Sequence, residues 1–98
     1  MSKIGPKDPD EIKTVIFDFG NQLGTNTISS AVVTVNVERG TDAAPDSLKS
    51  GAAVISGAFV RQFITGGVLG VNYAIHCVAT DSAGQKHKIT AELDVERA

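Results

Sequence analysis

Asn72-Tyr73-Ala74-Ile75-His76-Cys77-Val78-Ala79-Thr80 is the stretch that decides the fold. Successive side chains of a strand point to opposite faces, so residues two apart share a face. Tyr73, Ile75, Cys77 and Ala79 therefore lie on one side, and Ala74, His76, Val78 and Thr80 on the other. Asp81-Ser82-Ala83-Gly84 follows, with glycine near the turn position that needs a positive φ. The alternation then resumes over Gln85–Glu96. Ile89, Ala91, Leu93 and Val95 form an apolar row, while Lys88, Thr90, Glu92, Asp94 and Glu96 form a polar one. Strand, turn and strand make a hairpin with one face turned to a core.

The same period appears upstream. In Ile12–Phe19, Val15, Phe17 and Phe19 share one face, and Ile16 and Asp18 the other. Thr27–Val37 is dense in β-branched residues, which suit a pleated surface, and sets Val33, Val35 and Val37 opposite Thr34 and Asn36. Phe59–Thr65 reads as a further strand. Small residues blur the alternation in 48–58, where a short strand near Ala52–Ser56 is expected. Gly20–Asn26 and Glu38–Ser47 carry turn and loop chemistry. No segment has a helical apolar period. Six to seven short strands at about ten-residue spacing predict an all-β, immunoglobulin-like or fibronectin III-like β-sandwich. The expected core is Phe17, Val33, Val35, Tyr73, Ile75, Cys77, Ile89, Ala91 and Leu93.

Residues 1–11 break the pattern. Pro6 and Pro9 fix φ and remove backbone donors, so the segment is expected to be extended. It reads as an N-terminal arm, leaving residues 12–98 as the sandwich. Ile4, Lys7, Asp8, Pro9, Asp10 and Glu11 are its candidate partner-binding residues. Ile4 is the apolar anchor, and the acids would meet basic groups on a neighbour.

At 98 residues the chain has the size of one domain. Such a domain buries roughly 60–65% of its unfolded surface, enough for one modest core. The net charge is −2, and the nine Lys and Arg residues are dispersed, which argues against a nucleic-acid footprint. Met1–Pro6 lacks the apolar run of a secretory signal, and no stretch approaches the ~18 apolar residues of a membrane span. The single cysteine, Cys77, has no internal disulfide partner, which suits synthesis in a reducing cytoplasm.

Four features invite a chemical reading. Gly66-Gly67-Val68-Leu69-Gly70 resembles a phosphate loop, but a strand follows it where such loops need a helix N-terminus. Asp18-Phe19-Gly20 matches a kinase tripeptide in a chain too short for a kinase. Asp8, Asp10 and Glu11 fall short of the six or more converging oxygens of a calcium site. Cys77 and His76 are adjacent and so face opposite ways, and His87 near its turn reads as solvated. With no acid–base pair and no metal or cofactor set, the expectation is a binding protein and not an enzyme. Tyr73 suits a structural role. Immunoglobulin-like folds place a tyrosine at the start of the penultimate strand, its hydroxyl bonded back to the corner upstream.

Several motifs together resemble the tailed-phage fiber-tail adaptor proteins. They are Lys7-Asp8-Pro9-Asp10-Glu11, the strand end Phe17-Asp18-Phe19, and Leu23-Gly24-Thr25-Asn26-Thr27-Ile28-Ser29-Ser30. Phe63-Ile64-Thr65-Gly66-Gly67, Gly70, Tyr73 and Thr80-Asp81-Ser82-Ala83-Gly84-Gln85 continue the pattern. Phe19, Val33 and Phe63, where relatives often carry Trp, read as core positions. The resemblance implies a small structural protein of a bacteriophage virion tail, made in the host bacterial cytoplasm. It would join tail and fibre proteins stoichiometrically, as a homo-oligomer or within a symmetric assembly, with no cofactor, nucleic acid or membrane. The alternative is an immunoglobulin-like carbohydrate-binding or adhesion module. Such modules expose aromatic rings, whereas most of the four Phe and one Tyr here fall on expected core faces.

Overall fold

The computed structural model describes residues 2–8 and 10–96, with residues 2–6 described as backbone. Seven strands follow one another: β1 (Ser2–Lys7), β2 (Ile12–Asp18), β3 (Ile28–Arg39), β4 (Lys49–Ser56), β5 (Phe59–Thr65), β6 (Asn72–Asp81) and β7 (Lys86–Val95). A single helical turn, Gly20–Leu23, leaves β2, and a 3-10 turn, Pro45–Leu48, enters β4. One sheet has the order β1-β7-β6-β3 and the other β2-β5-β4. All pairings are antiparallel except β1 with β7, which is parallel. The two sheets close over one core as an all-β sandwich.

The parity of the sequence sets the inner faces. Val33 and Val35 of β3, Tyr73, Ile75, Cys77 and Ala79 of β6, and Ala91, Leu93 and Val95 of β7 are buried. Val15 and Phe17 of β2, with Val60 and Ile64 of β5, face them from the second sheet. Phe19, Leu23, Leu48 and Val71 close the ends. Of the expected core, Ile89 is only partly buried, packed against the rest. Phe63 departs from expectation: it stands opposite Thr14 on the outer face of its sheet and is exposed.

Gln62 takes the inward position beside Phe63, and the reason lies in β4. Between Ser50 and Val54 the β4–β5 register slips, and Gly51 sits at φ +76°. A bulge of this kind leaves ladder groups unpaired. The Gln62 amide fills the gap, donating to the Gly51 carbonyl (3.1 Å) and the Phe63 carbonyl (2.9 Å). The same bulge accounts for the unreadable alternation of 48–58, which holds one strand, Lys49–Ser56.

The N-terminal segment is extended, as its prolines require, but it does not stand apart from the sandwich. Ser2–Lys7 lies along the domain's own β7, with Ser2 opposite Ala91, Ile4 opposite Leu93 and Lys7 opposite Val95. The register slips between Ile4 and Lys7, around Pro6, which has no N–H for the ladder. The Glu96 N–H donates to the Lys7 carbonyl at 2.8 Å and resumes the pairing.

Candidate functional site

Alternation puts a second set of side chains on the outside of each sheet. A sheet with one solvated face should be polar there. The outer face of β1-β7-β6-β3 largely follows that rule: Thr34, Asn36, His76, Lys86, Lys88, Thr90 and Glu92 lie on it. Val32 is its large exposed apolar side chain among the described residues.

The outer face of β2-β5-β4 does not follow it. Its rows read Thr14–Phe63–Ser50, Ile16–Arg61–Val54 and Asp18–Phe59–Ser56, with Ile12 beside Thr65 at the end. Ile12 is 70% exposed, Ile16 58%, Val54 50%, Phe63 47% and Phe59 43%. The strands that place these residues outward are the ones whose other faces bury Val15, Phe17, Val60 and Ile64, so the core itself fixes their orientation. Arg61 and Asp18 are the charges on the face. Arg61 donates weakly to Ser56 Oγ (3.4 Å), and Asp18 Oδ1 accepts the Gly20 N–H (2.8 Å).

An open cleft of about 530 Å³ lies elsewhere, lined by Arg39, Leu69, Gly70, Val71, Asp94, Val95 and Glu96. Beside it, buried Asn72 donates its side-chain amide to Glu92 Oε1 (3.2 Å) and to Asp94 Oδ1. The amide thereby pins two carboxylates of β7.

The residues named from the sequence fall out as follows. Ile4 pairs with β7 through its backbone. Lys7 is fully buried, its Nζ donating to the Gly66 carbonyl (2.6 Å) and the Asp8 carbonyl (3.0 Å). Burial lowers its pKa below the ordinary lysine range. Lys7 thus ties β1 to the loop after β5. Asp8 and Glu11 build a tight turn: the Glu11 N–H donates to the Asp8 carbonyl (2.9 Å), and the Asp8 N–H donates to Glu11 Oε1 (2.8 Å). The Asp10 N–H donates to Asp8 Oδ1 (2.9 Å), and Asp10 is exposed. Pro9 lies outside the described residues.

The groups with shifted pKa values all serve the frame. Tyr73 Oη accepts the Val68 N–H (2.9 Å) and donates to Asp42 Oδ2 (2.7 Å). Burial, then the bond to Asp42, pushes the phenol up to about 12. The Tyr73 hydroxyl, then the Ala44 N–H, holds Asp42 below the usual carboxylate range. This is the expected tyrosine corner, with an added tie to the loop after β3. Asp81 closes the β6–β7 turn by accepting the N–H groups of Ala83 and Gln85, each at 2.9 Å. It also contacts His87 Nε2 at 2.9 Å, and that bond leads in lowering its pKa. His87 is therefore paired and partly buried, contrary to the solvated position expected of it. Cys77 is buried, and burial pushes its thiol up to about 11, away from thiolate chemistry. Among the described residues no three potential metal ligands converge, and no helix is long and apolar enough to cross a membrane.

The sequence reading missed the apolar outer face. Its signal was present in the parity of Ile12 and Ile16 against Val15 and Phe17. Fold and surface together define a small all-β sandwich whose most distinctive feature is a face suited to contact with another protein. Residues 7–94 match the family model described as podophage GP4 fiber-tail adaptor protein gp77, and the chain belongs to that family. No curated protein sequence matches the chain. The family is one of phage fibre–tail adaptors, structural parts of the virion tail.

Proposed function

We propose that this chain is a non-enzymatic connector that joins fibre to tail in a tailed phage, binding tail and fibre proteins stoichiometrically without turnover. The family match over residues 7–94 carries the reading. The sandwich supports it. Lettered A to G in chain order, the strands run A-G-F-C against B-E-D. Immunoglobulin constant domains set A, B, E and D against C, F and G. The proposed fold is immunoglobulin-like, with its first strand moved to the opposite sheet. Such a frame holds surfaces rigidly, as a connector under load requires.

Exposed Phe59 and Phe63 are the observation that favours the carbohydrate-binding alternative. Sugars also need converging hydrogen-bond groups to orient them. Thr14, Ser50, Asp18 and Ser56 flank the two rings, but Asp18 is already bonded to the Gly20 N–H, and Ile12, Ile16 and Val54 make the face predominantly apolar. A protein surface fits this face better. The N-terminal segment adds the turn at Asp8–Glu11, where exposed Asp10 is placed to meet a basic group of a partner.

The test is a phage in which this chain is not made. Tails should assemble without attached fibres, and supplying the chain in trans should restore them. Fully fibred particles lacking the chain would overturn the reading.

A further inference from the structure

We propose that the outer face of β2-β5-β4 is a self-association surface whose occupant is the same face of a second copy of this chain. The inference deepens the connector reading and rests on it only in taking the face to bind protein.

Area is the first argument. Aromatic side chains carry on the order of 150–250 Å² each, and Ile and Val lie near the lower end of that range. Ile12, Ile16, Val54, Phe59 and Phe63 stand about half exposed. Together they present about 500 Å² of apolar surface, at the upper end of the largest patch that soluble monomers leave uncovered. Thr14, Ser50, Ser56 and Arg61 lie among them on the same rows. With these the face approaches the ~800 Å² per partner of a standard stable interface.

Charge is the second. The chain carries −2 overall, so two copies repel each other weakly as wholes. Among the described residues this face holds one cation, Arg61, and one anion, Asp18, and is formally neutral. In a two-fold pairing the same patch meets itself, so net charge on it would face like charge, and a neutral face avoids that repulsion. A fibre or tail protein docking by charge would instead be expected to select a charged face, such as the end of β7 with Glu92, Asp94 and Glu96.

Shape is the third. Sheets pack face to face about 10 Å apart through interdigitating side chains. The rows Thr14–Phe63–Ser50 and Asp18–Phe59–Ser56 each set one large ring beside smaller side chains, on either side of the bulky row Ile16–Arg61–Val54, a relief that suits interdigitation.

Sedimentation equilibrium of the full chain from ~1 to ~100 μM tests this, since standard-size interfaces span μM to pM affinity. The wild type should weigh twice its 10.2 kDa chain mass at about 10 μM. Phe63→Asp should weaken dimerisation by at least about tenfold, because it places a carboxylate in the contact. Phe63→Ser, which adds no charge, should act in the same direction. Lys88→Glu, on the opposite face of the molecule, should leave the dimer unchanged. Circular dichroism checks that each variant folds. A wild type that stays monomeric at ~100 μM, or a dimer indifferent to both Phe63 variants, overturns the inference. A monomer whose Phe63→Asp form no longer enters particles assigns the face to another protein; it overturns self-association and leaves the connector reading standing. A Phe63-dependent dimer in a phage that keeps its fibres without this chain does the reverse.

Discussion

Tyr73→Phe is the sharpest probe of the frame, because it keeps the buried ring and removes only the hydroxyl. That hydroxyl accepts the Val68 N–H and donates to Asp42 Oδ2, at 2.9 and 2.7 Å. It joins the loop after β5 to the loop after β3 across one end of the sandwich. Losing a hydrogen-bonded partner costs about 1 kcal/mol for a neutral bond and more when a charged group takes part. Both partners lie near the surface and can turn to water, which limits the loss. The expected destabilisation is about 2 kcal/mol. In a domain of this length that lowers Tm by about 8–16 °C. Paired urea melts of wild type and variant measure it, with an unchanged m-value showing that the unfolded state is not altered. The pH dependence supplies a second readout. Asp42 is held below the ordinary carboxylate range, chiefly by this hydroxyl. A depressed carboxylate stabilises the fold above its unfolded pKa of about 3.9, and that stability is lost as pH falls through the folded value. Tyr73→Phe should therefore lose less stability than wild type on acidification below about pH 4. A loss under about 0.5 kcal/mol at neutral pH, with parallel acid limbs, would refute the reasoning.

Three further outcomes are expected. Gly67 sits at φ +97°, and a Cβ there would come within 2.9 Å of Val95 Cγ2 and 3.2 Å of Leu48 Cδ1, so Gly67→Ala should destabilise the domain by about 1–3 kcal/mol in urea melts. Cys77, buried and with its thiol pushed up to about 11, should resist thiol reagents until the chain unfolds, and reductant should leave Tm unchanged; rapid labelling of native protein would count against its placement. Asp81 is held low chiefly by His87, so its contribution is present above about pH 4 and disappears as pH falls further; Asp81→Asn should flatten that part of the stability profile, as thermal melts from pH 7 to 3 would record.

What the sequence revealed follows from where its period was clean. β2, β3, β6 and β7 bury one face each, and their alternating residues name the core and the hairpin directly. Tyr73 was legible because its position at a strand start, just after a glycine-rich corner, has a recurrent physical use. The rest was obscured for identifiable reasons. β4 carries a bulge at Gly51 amid alanines, so its faces cannot be read from hydrophobicity. β5 carries two phenylalanines on its outer face and a glutamine on its inner one, the reverse of what polarity suggests. The inward glutamine is explained by the bulge it satisfies. β1 offers one proline and no alternation, and its place beside β7 rests on a parallel pairing between distant segments that no local pattern encodes. The apolar face was hidden by the same habit of assigning large hydrophobic residues to the core.

The central claim is that this sandwich is the connector between fibre and tail, and imaging the particle tests it most directly. A cryo-electron microscopy reconstruction of intact virions should show copies of this seven-stranded sandwich where fibre meets tail, with the outer faces of β2-β5-β4 covered by one another. Its absence from the virion, or its location away from that junction, would contradict the account.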